Sequence, residues 1–501
     1  MSVMWLRVTG MTQPRSSSWA LLVALSAACG GDPADVLDRP GAGTLPPDDG
    51  EEPEEPAMVP EEEPSSDGDR DDVPPLEPLP EPLPEPPADD ASRPGADAPL
   101  GDFQLCVELA KAPCPNDDDT ELTPHGGPRP WAPCRFELAD QGIWATQAAR
   151  IDALAAGLPE VGIAGVLGDL DRLATPADAG VSHLAKLQHL KAAFRWQDVD
   201  FHDAAWMPQG LSGSADATAE GTVAGRKVVA ASWYYKASVG GMPERDSIAR
   251  ISFADVSALE GGGAVPYRHV LLVEPTEAGG VVDFKATRLH AGGIAWVGDY
   301  LYVADTSKGL RVYDTSRILE VSTAKDRLGY DAQTGDYHAY GFKYVLPQVG
   351  AYFWSDQSCW ARTSFVGLDA TSEPPSLVTG EFHDLDYAGK LVRWPLEGQT
   401  LLATDPERGV TASSEVVFAQ ESDMQGAVSV GGEWWISSSA QSGADGRLYR
   451  ARPGRESYSF GWVVGPEDLM WERQAGLLWS QNEFAGMRFV FGVAASQYAK
   501  P

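Results

Sequence analysis

The chain is short of basic residues, histidine and cysteine, and each shortage closes off a class of function. Only 38 Lys and Arg stand against 73 Asp and Glu, a formal charge of −35 over 501 residues. Such a surface repels a phosphate backbone and cannot release its counterions, which excludes DNA and RNA as partners. The eight His and five Cys include no C-x-x-C pair and no H-E-x-x-H run, so zinc-finger and zincin patterns are missing. There is no G-x-S-x-G elbow either, and the nucleophilic hydrolase schemes lack their starting group.

The imbalance of charge is local. Asp32 to Asp102 holds 23 acidic residues against Arg39, Arg70 and Arg93, together with 18 of the 39 prolines. With almost no aromatic residue, this stretch has too little apolar surface to offset its ordering entropy and reads as disordered. Prolines at every second place from Pro78 to Pro86 favour extended polyproline II. About 70 residues at roughly 3.1 Å each then reach at most about 200 Å.

Ahead of that stretch, Arg7 and Arg15 precede the apolar run Trp19 to Ala24 and the small residues Ser26, Ala27 and Ala28 before Cys29. A basic start, a short apolar segment and small residues before a cleavage point make a secretory signal, and the run is too short to span a bilayer. The setting of Cys29 resembles a bacterial lipobox. That resemblance implies acylation of Cys29 and anchoring to a membrane, at about 0.8 kcal/mol per buried methylene; an ordinary secreted protein is the alternative. The expected organisation is a signal peptide over 1–28, a lipidated acidic stalk over 29–102, a Cys-containing, partly helical cap over 103–195 and a β domain over 196–501. All of it is exported, to the cell envelope. Cys106, Cys114, Cys134 and Cys359 are then an even set in an oxidising compartment and are expected to form two disulfides, one tying the front segment to Cys359.

Within the cap, an Ala-rich stretch from Ile151 to Leu158 and the spacing of Leu184, Leu187, Leu190 and Phe194 predict helices. Beyond Trp196 short β-branched and aromatic runs alternate with Gly-containing turns. Ile294 to Val297, Tyr300 to Ala304 and Leu310 to Tyr313, joined by Gly298-Asp299 and Ser307-Lys308-Gly309, read as three antiparallel strands. The same grammar recurs from Val228, Phe365, Ala427 and Leu469. Five such copies predict an all-β fold, a β-propeller of four-stranded blades in which a strand near Trp196 to Phe201 completes the last blade. The long third copy leaves room for a sixth.

The copies open on Met207-Pro208-Gln209-Gly210, His290-Ala291-Gly292-Gly293, Asp423-Met424-Gln425-Gly426 and Gly465-Pro466-Glu467-Asp468. First strands line a propeller's channel, so Gln209, His290, Gln425, Glu467 and Asp468 are predicted to converge at one mouth, with Trp206 as a ligand-binding aromatic beside them. Oxygen ligands with one imidazole suit a divalent cation, and Glu467, Asp468 and His290 are the candidate metal ligands.

From Trp206 to Val493 the chain resembles secreted and lipid-anchored propeller proteins of bacteria. Tyr302-Val303-Ala304-Asp305 with Gly309-Leu310-Arg311-Val312-Tyr313 is similar to the repeat of lactonase-type propellers. Lactonase and phosphotriesterase propellers hold calcium in the channel with Glu, Asn and Asp. The resemblance therefore implies calcium as a cofactor and Glu467 or Asp468 as a catalytic group in the hydrolysis of a lactone, ester or phosphoester. Gln209, Gln425 and His290 depart from that ligand set. The first reading is thus a surface-displayed binding module for a glycan, small molecule or protein, with a metal-dependent hydrolase as the alternative. A glycosidase built on two of Asp305, Asp369, Glu467 and Asp468 ranks below both.

Overall fold

Tight glycine turns fold the β-rich part of the chain back on itself. Gly298 (φ 60°) joins Ile294–Val297 to Tyr300–Asp305, and Gly431 with Gly432 (φ 59° and 75°) joins Met424–Val430 to Glu433–Ser438. Positive φ at such a turn matches the right-handed twist of the strands it connects, and glycine takes it without strain. The computed structural model describes residues 121–498 apart from 132, 134, 357, 358, 399, 441 and 442. The expected signal peptide, the lipidation site Cys29, the stalk, Cys106, Cys114 and Cys134 lie outside the described residues. Cys359 is buried and disulfide-bonded.

Five antiparallel meanders follow one another. The first blade comprises Trp206–Gly213, Val228–Tyr235, Ala249–Asp255 and Val265–Ala278. The second adds Gly309–Asp314 and Tyr344–Trp354 to the hairpin at Gly298. The third is Phe365–Asp369, Ser376–Gly380, Lys390–Glu397 and Glu415–Phe418. The fourth continues from Glu433–Ser438 through Asp445–Arg452 to Arg455–Val464. Their first strands stand side by side around one axis. A Cβ on Gly293 would lie 2.3 Å from the Val366 amide nitrogen, and one on Gly426 2.5 Å from the Asp468 Cα. Side chains there would push the blades apart.

The fifth blade draws Met470–Glu472, Leu477–Gln481 and Phe489–Ala494 from its own stretch. Its fourth strand is Leu190–Arg195, antiparallel to Phe489–Ala494 with Phe491 opposite Ala193. The closing strand therefore lies just ahead of the stretch 196–201 expected for it, where Asp198–Phe201 is a short helix. Nor is 184–194 helical. Leu184 and Leu187 occupy consecutive turns, their amides donating to the carbonyls of Val181 and Leu184, and this imitates helical spacing before the strand begins. The described residues contain no sixth meander: the long link at 398–414 carries only Leu401–Leu402 and Val410–Ala412, which pair with Lys390–Glu397 and with Glu137–Asp140.

What precedes the ring is a belt around it. Arg129–Pro130 pairs with Glu415–Phe418 on the third blade, and Glu137–Asp140 with Tyr344–Trp354 on the second. The helix Trp144–Ala155, which begins ahead of the Ala-rich stretch, packs against outer strands of the second and first blades through buried Ile151 and Leu154. Arg172–Pro176 pairs both with Val265–Ala278 of the first blade and with the closing strand. Edges that would otherwise face solvent are thereby paired.

The short helix at 198–201 carries Asp200 into the seam between the fifth and first blades. Its carboxylate accepts from Arg172 Nη1 (2.9 Å), Arg250 Nη2 (3.0 Å), Tyr267 Oη (2.5 Å) and His269 Nε2 (3.0 Å). Burial alone would raise the Asp200 pKa, but the hydrogen bond from His269 and the Arg250 and Arg172 charges outweigh it and hold the carboxyl well below its ordinary range. Burial, then Arg250, pushes His269 down to about 3. The neutral ring donates Nε2–H to Asp200, which only accepts, and Nδ1 takes the Ser252 hydroxyl at 2.8 Å. Ser252, His269 and Asp200 thus have the order of a hydrolytic triad. Ser252 is fully buried and its hydroxyl is spent on His269, in a network that ties the belt to the first blade and acts as a clamp on the seam.

Candidate functional site

In an antiparallel meander the start of the first strand, the link between the second and third, and the end of the fourth all lie at one end. That end of the ring gathers the links at 202–205, 236–248, 287–293, 355–364, 381–389, 419–423, 465–469 and 482–488. Five non-glycine residues hold positive φ there: Ser247, Ala291, Leu385, Gln420 and Asp423, at 54° to 59°. Backbone strain persists only where the surroundings enforce it, and it gathers at functional loops. At the opposite end Ser214–Ala217 packs against Ile294–Val297 and Met470–Glu472, and the Gly298 amide donates to the Ala217 carbonyl. The axis is plugged on that side.

Asp468 stands on the axis as a joint. Its Oδ2 accepts the amides of Leu211 (3.0 Å) and Ile294 (3.3 Å), and Oδ1 that of Leu469 (2.9 Å), linking the fifth blade to the first and second. Burial outweighs these amides and pushes its pKa well above the carboxylate range. Deeper, Asp216 accepts the Ser212 hydroxyl at 2.7 Å, and burial pushes it up to about 7. Both are structural acids.

Glu467 differs from its neighbour. Its amide donates to the Gln481 carbonyl (3.0 Å) and its carbonyl accepts the Ser480 hydroxyl (3.3 Å), but among the described residues its carboxyl takes part in no hydrogen bond. It is buried, and burial, then Glu483 and Asp468, pushes its pKa well above the ordinary value. Gln209 donates Nε2 to Glu483 Oε1 (3.0 Å) and to the Pro208 carbonyl (2.9 Å). Gln481 donates Nε2 to the carbonyls of Gln209 and Gly210, and Asn482 donates Nδ2 to that of Val464. These acceptors settle which end of each amide is nitrogen. Gln209 Oε1, Gln481 Oε1 and Asn482 Oδ1 are then buried without a donor. An unmet buried acceptor costs about 1–3 kcal/mol, which a guest bearing N–H or O–H groups recovers.

The predicted residues are therefore brought to one end, with different fates. Gln209, Gln425 and Glu467 open their blades there, Gln425 donating Nε2 to the Ser439 hydroxyl at 3.2 Å. His290 stacks on Tyr234 with ring centroids 4.3 Å apart, and burial, then Lys236, pushes it down to about 4; its Nε2 has no partner. Trp206 is buried, with Arg250 4.2 Å from its ring and Tyr235 at its edge, so it packs the first blade. Asp305 pairs with Arg311 and Asp369 with Arg393, at 2.9 and 2.7 Å, which removes both from a glycosidase pair. Among the described residues no three His, Cys, Asp or Glu side chains are grouped to hold a metal ion. With Asp468 committed to backbone amides and these three side chains not gathered into one group, the residues at hand do not fit a Glu467, Asp468 and His290 centre. A hollow of about 20 Å³ elsewhere, walled by Val228, Met470 and Trp479, is bridged by Lys227 with Glu260 (3.1 Å) and Glu472 (3.5 Å).

Sequence reasoning missed Gln481, Asn482 and Glu483. They follow the second strand of the fifth blade, and counting strand directions from Met470 places that link at the same end as the strand starts. Arg488 fixes this link from beneath: fully buried, it donates to the carbonyls of Glu483, Asp200 and Asp203.

No family model matches the chain, and no curated protein matches it. Solved structures that overlap it include a gluconolactonase of Xanthomonas campestris, at 9% identity over 65% of this chain and 86% of that one, with a TM-score of 0.26. Others are the β-propeller domain of Myceliophteria thermophila Swd1 (10% identity, 57% and 96% covered, TM-score 0.26) and Kuenenia stuttgartiensis hydrazine synthase (10%, 57% and 96%, 0.26). At these scores the likeness bears on neither fold nor activity, and the propeller architecture rests on the strand pairings themselves.

Proposed function

We propose that the chain is a binding protein whose ligand enters the loop-rich end of the ring and reaches the cup formed by Gln209, Glu467, Gln481, Asn482 and Glu483. One observation carries this reading: three buried amide oxygens around that cup lack donors, while Glu467 has no bond of its own to break. The cup is rigid, because every amide nitrogen is fixed on a backbone carbonyl, and rigidity lowers the ordering cost of binding. The lipobox-like Cys29 and the acidic, proline-rich stalk support display of the ring at the cell envelope, held to a membrane by a lipid anchor.

The test is a thermal-shift screen of the full chain against amines, sugars and peptides, followed by calorimetric titration of any hit. Glu467→Ala is expected to weaken the ligand at least tenfold without lowering Tm. Turnover of a lactone, ester or phosphoester by the purified chain, abolished by Glu467→Gln, would replace this reading with a hydrolase whose site lies at this end of the ring.

A further inference from the structure

The chemistry of the cup selects among ligands. We propose that it takes a primary ammonium group, carried by a small amine or by a lysine side chain; the proposal rests on the binding reading above.

Three facts converge. First, the unmet groups are acceptors: Gln209 Oε1, Gln481 Oε1 and Asn482 Oδ1, on side chains at most 1% exposed. An ammonium group brings three donors and no acceptor. A sugar hydroxyl brings lone pairs as well, and the donors of these three amides are already spent on carbonyls and on Glu483. Second, the ionisable groups gathered on the axis are acids, Glu467 and Glu483 at the cup with Asp468 beside them and Asp216 deeper, and burial holds Glu467, Asp468 and Asp216 towards the neutral form. The buried cation Arg488 feels the Glu483 charge but turns its donors to the carbonyls of Glu483, Asp200 and Asp203. An incoming ammonium group favours the ionised form of a carboxyl beside it, and in a setting of low dielectric the resulting attraction is strong. Third, half-buried Met207 stands two residues before Gln209 and opposite Tyr234, and half-buried Phe484 follows Glu483, apolar or aromatic surfaces suited to the methylene stem that carries an amine.

The experiment uses the full chain and five probes in thermal-shift and calorimetric titrations: 1,5-diaminopentane, Nα-acetyl-lysinamide, tetramethylammonium, glucose and calcium chloride. A primary amine is expected to bind at least tenfold more tightly than tetramethylammonium, which has the charge without the donors. Glu467→Gln is expected to weaken that amine at least tenfold while leaving Tm unchanged or higher. Tighter binding of 1,5-diaminopentane assigns the site to free amines, and tighter binding of Nα-acetyl-lysinamide to lysine side chains. Equal binding of tetramethylammonium and the primary amines overturns the proposal, as does silence of both amines. If glucose or calcium binds while the amines do not, the ammonium assignment falls and the binding reading stands. If Glu467→Gln does not fold, the comparison with tetramethylammonium on the unaltered chain decides alone.

Discussion

Glu467 and Asp468 are adjacent carboxyls with opposite obligations. Asp468 is acceptor to three buried amides, two from strands of the first and second blades and one from its own link, and Asp468→Ala leaves all three unmet at about 1–3 kcal/mol each. A loss of about 3 kcal/mol or more in urea denaturation is expected. Glu467→Gln removes an acid that has no hydrogen bond to lose, so Tm at pH 8 should hold or rise. Asp216 and His269 set opposing pH dependences. Asp216 moves from 3.8 to about 7, so between those values the folded chain keeps a proton that the unfolded chain has released, and stability falls as pH rises. His269 moves from 6.5 to about 3, so below 6.5 the unfolded chain binds a proton that the folded chain refuses, and stability falls as pH drops. The two slopes oppose each other between about 4 and 6.5. A scan of Tm against pH should show a plateau there with declines on both sides, and Asp216→Asn should lessen the decline towards pH 7. Glu467 was legible in the sequence because it opens a strand. Its partners at 481–483 were hidden because only the strand count of the fifth blade shows which end they reach.

At the scale of elements, ring closure depends on the strand Leu190–Arg195 and on the helix after it. Asp200 is the common acceptor of two arginines, a tyrosine and a histidine that come from the belt and from the third and fourth strands of the first blade. Asp200→Ala leaves Arg250 held between the rings of Trp206 and Trp233 (4.2 and 4.8 Å) without its counter-charge. Breaking a buried pair in this way costs about 3–5 kcal/mol. Denaturant midpoints should fall accordingly, and amide exchange should quicken first in 190–195 and 489–494; uniform exchange across all five blades would deny Asp200 the role of a seam clamp. The strands of the blades were legible from glycine turns and alternation. The closing strand was not, because turns at Leu184 and Leu187 place apolar residues three apart and merge by eye with Leu190 and Phe194, so a run of helical period spans two non-helical elements.

The described residues form a ring that cannot close from residues 196–498 alone. Composition changes near Trp196, and a boundary there looks natural, since cap and β domain differ in texture. Yet residues 196–501 leave Phe489–Ala494 without its partner strand and uncover the outer edges that Arg129–Pro130, Glu137–Asp140 and Arg172–Pro176 pair. They also separate Asp200 from Arg172. Unpaired edges template association with other chains, and a ring missing one strand loses the mutual burial that stabilises neighbouring blades. Expressed alone, residues 196–501 should aggregate or elute far larger than a monomer. A chain beginning at residue 121 should elute as a compact species and unfold in one cooperative transition. Size-exclusion chromatography and circular dichroism compare the two directly. A monomeric, cooperatively folded 196–501 would mean that the blades close without the belt, and that the belt covers the ring without completing it.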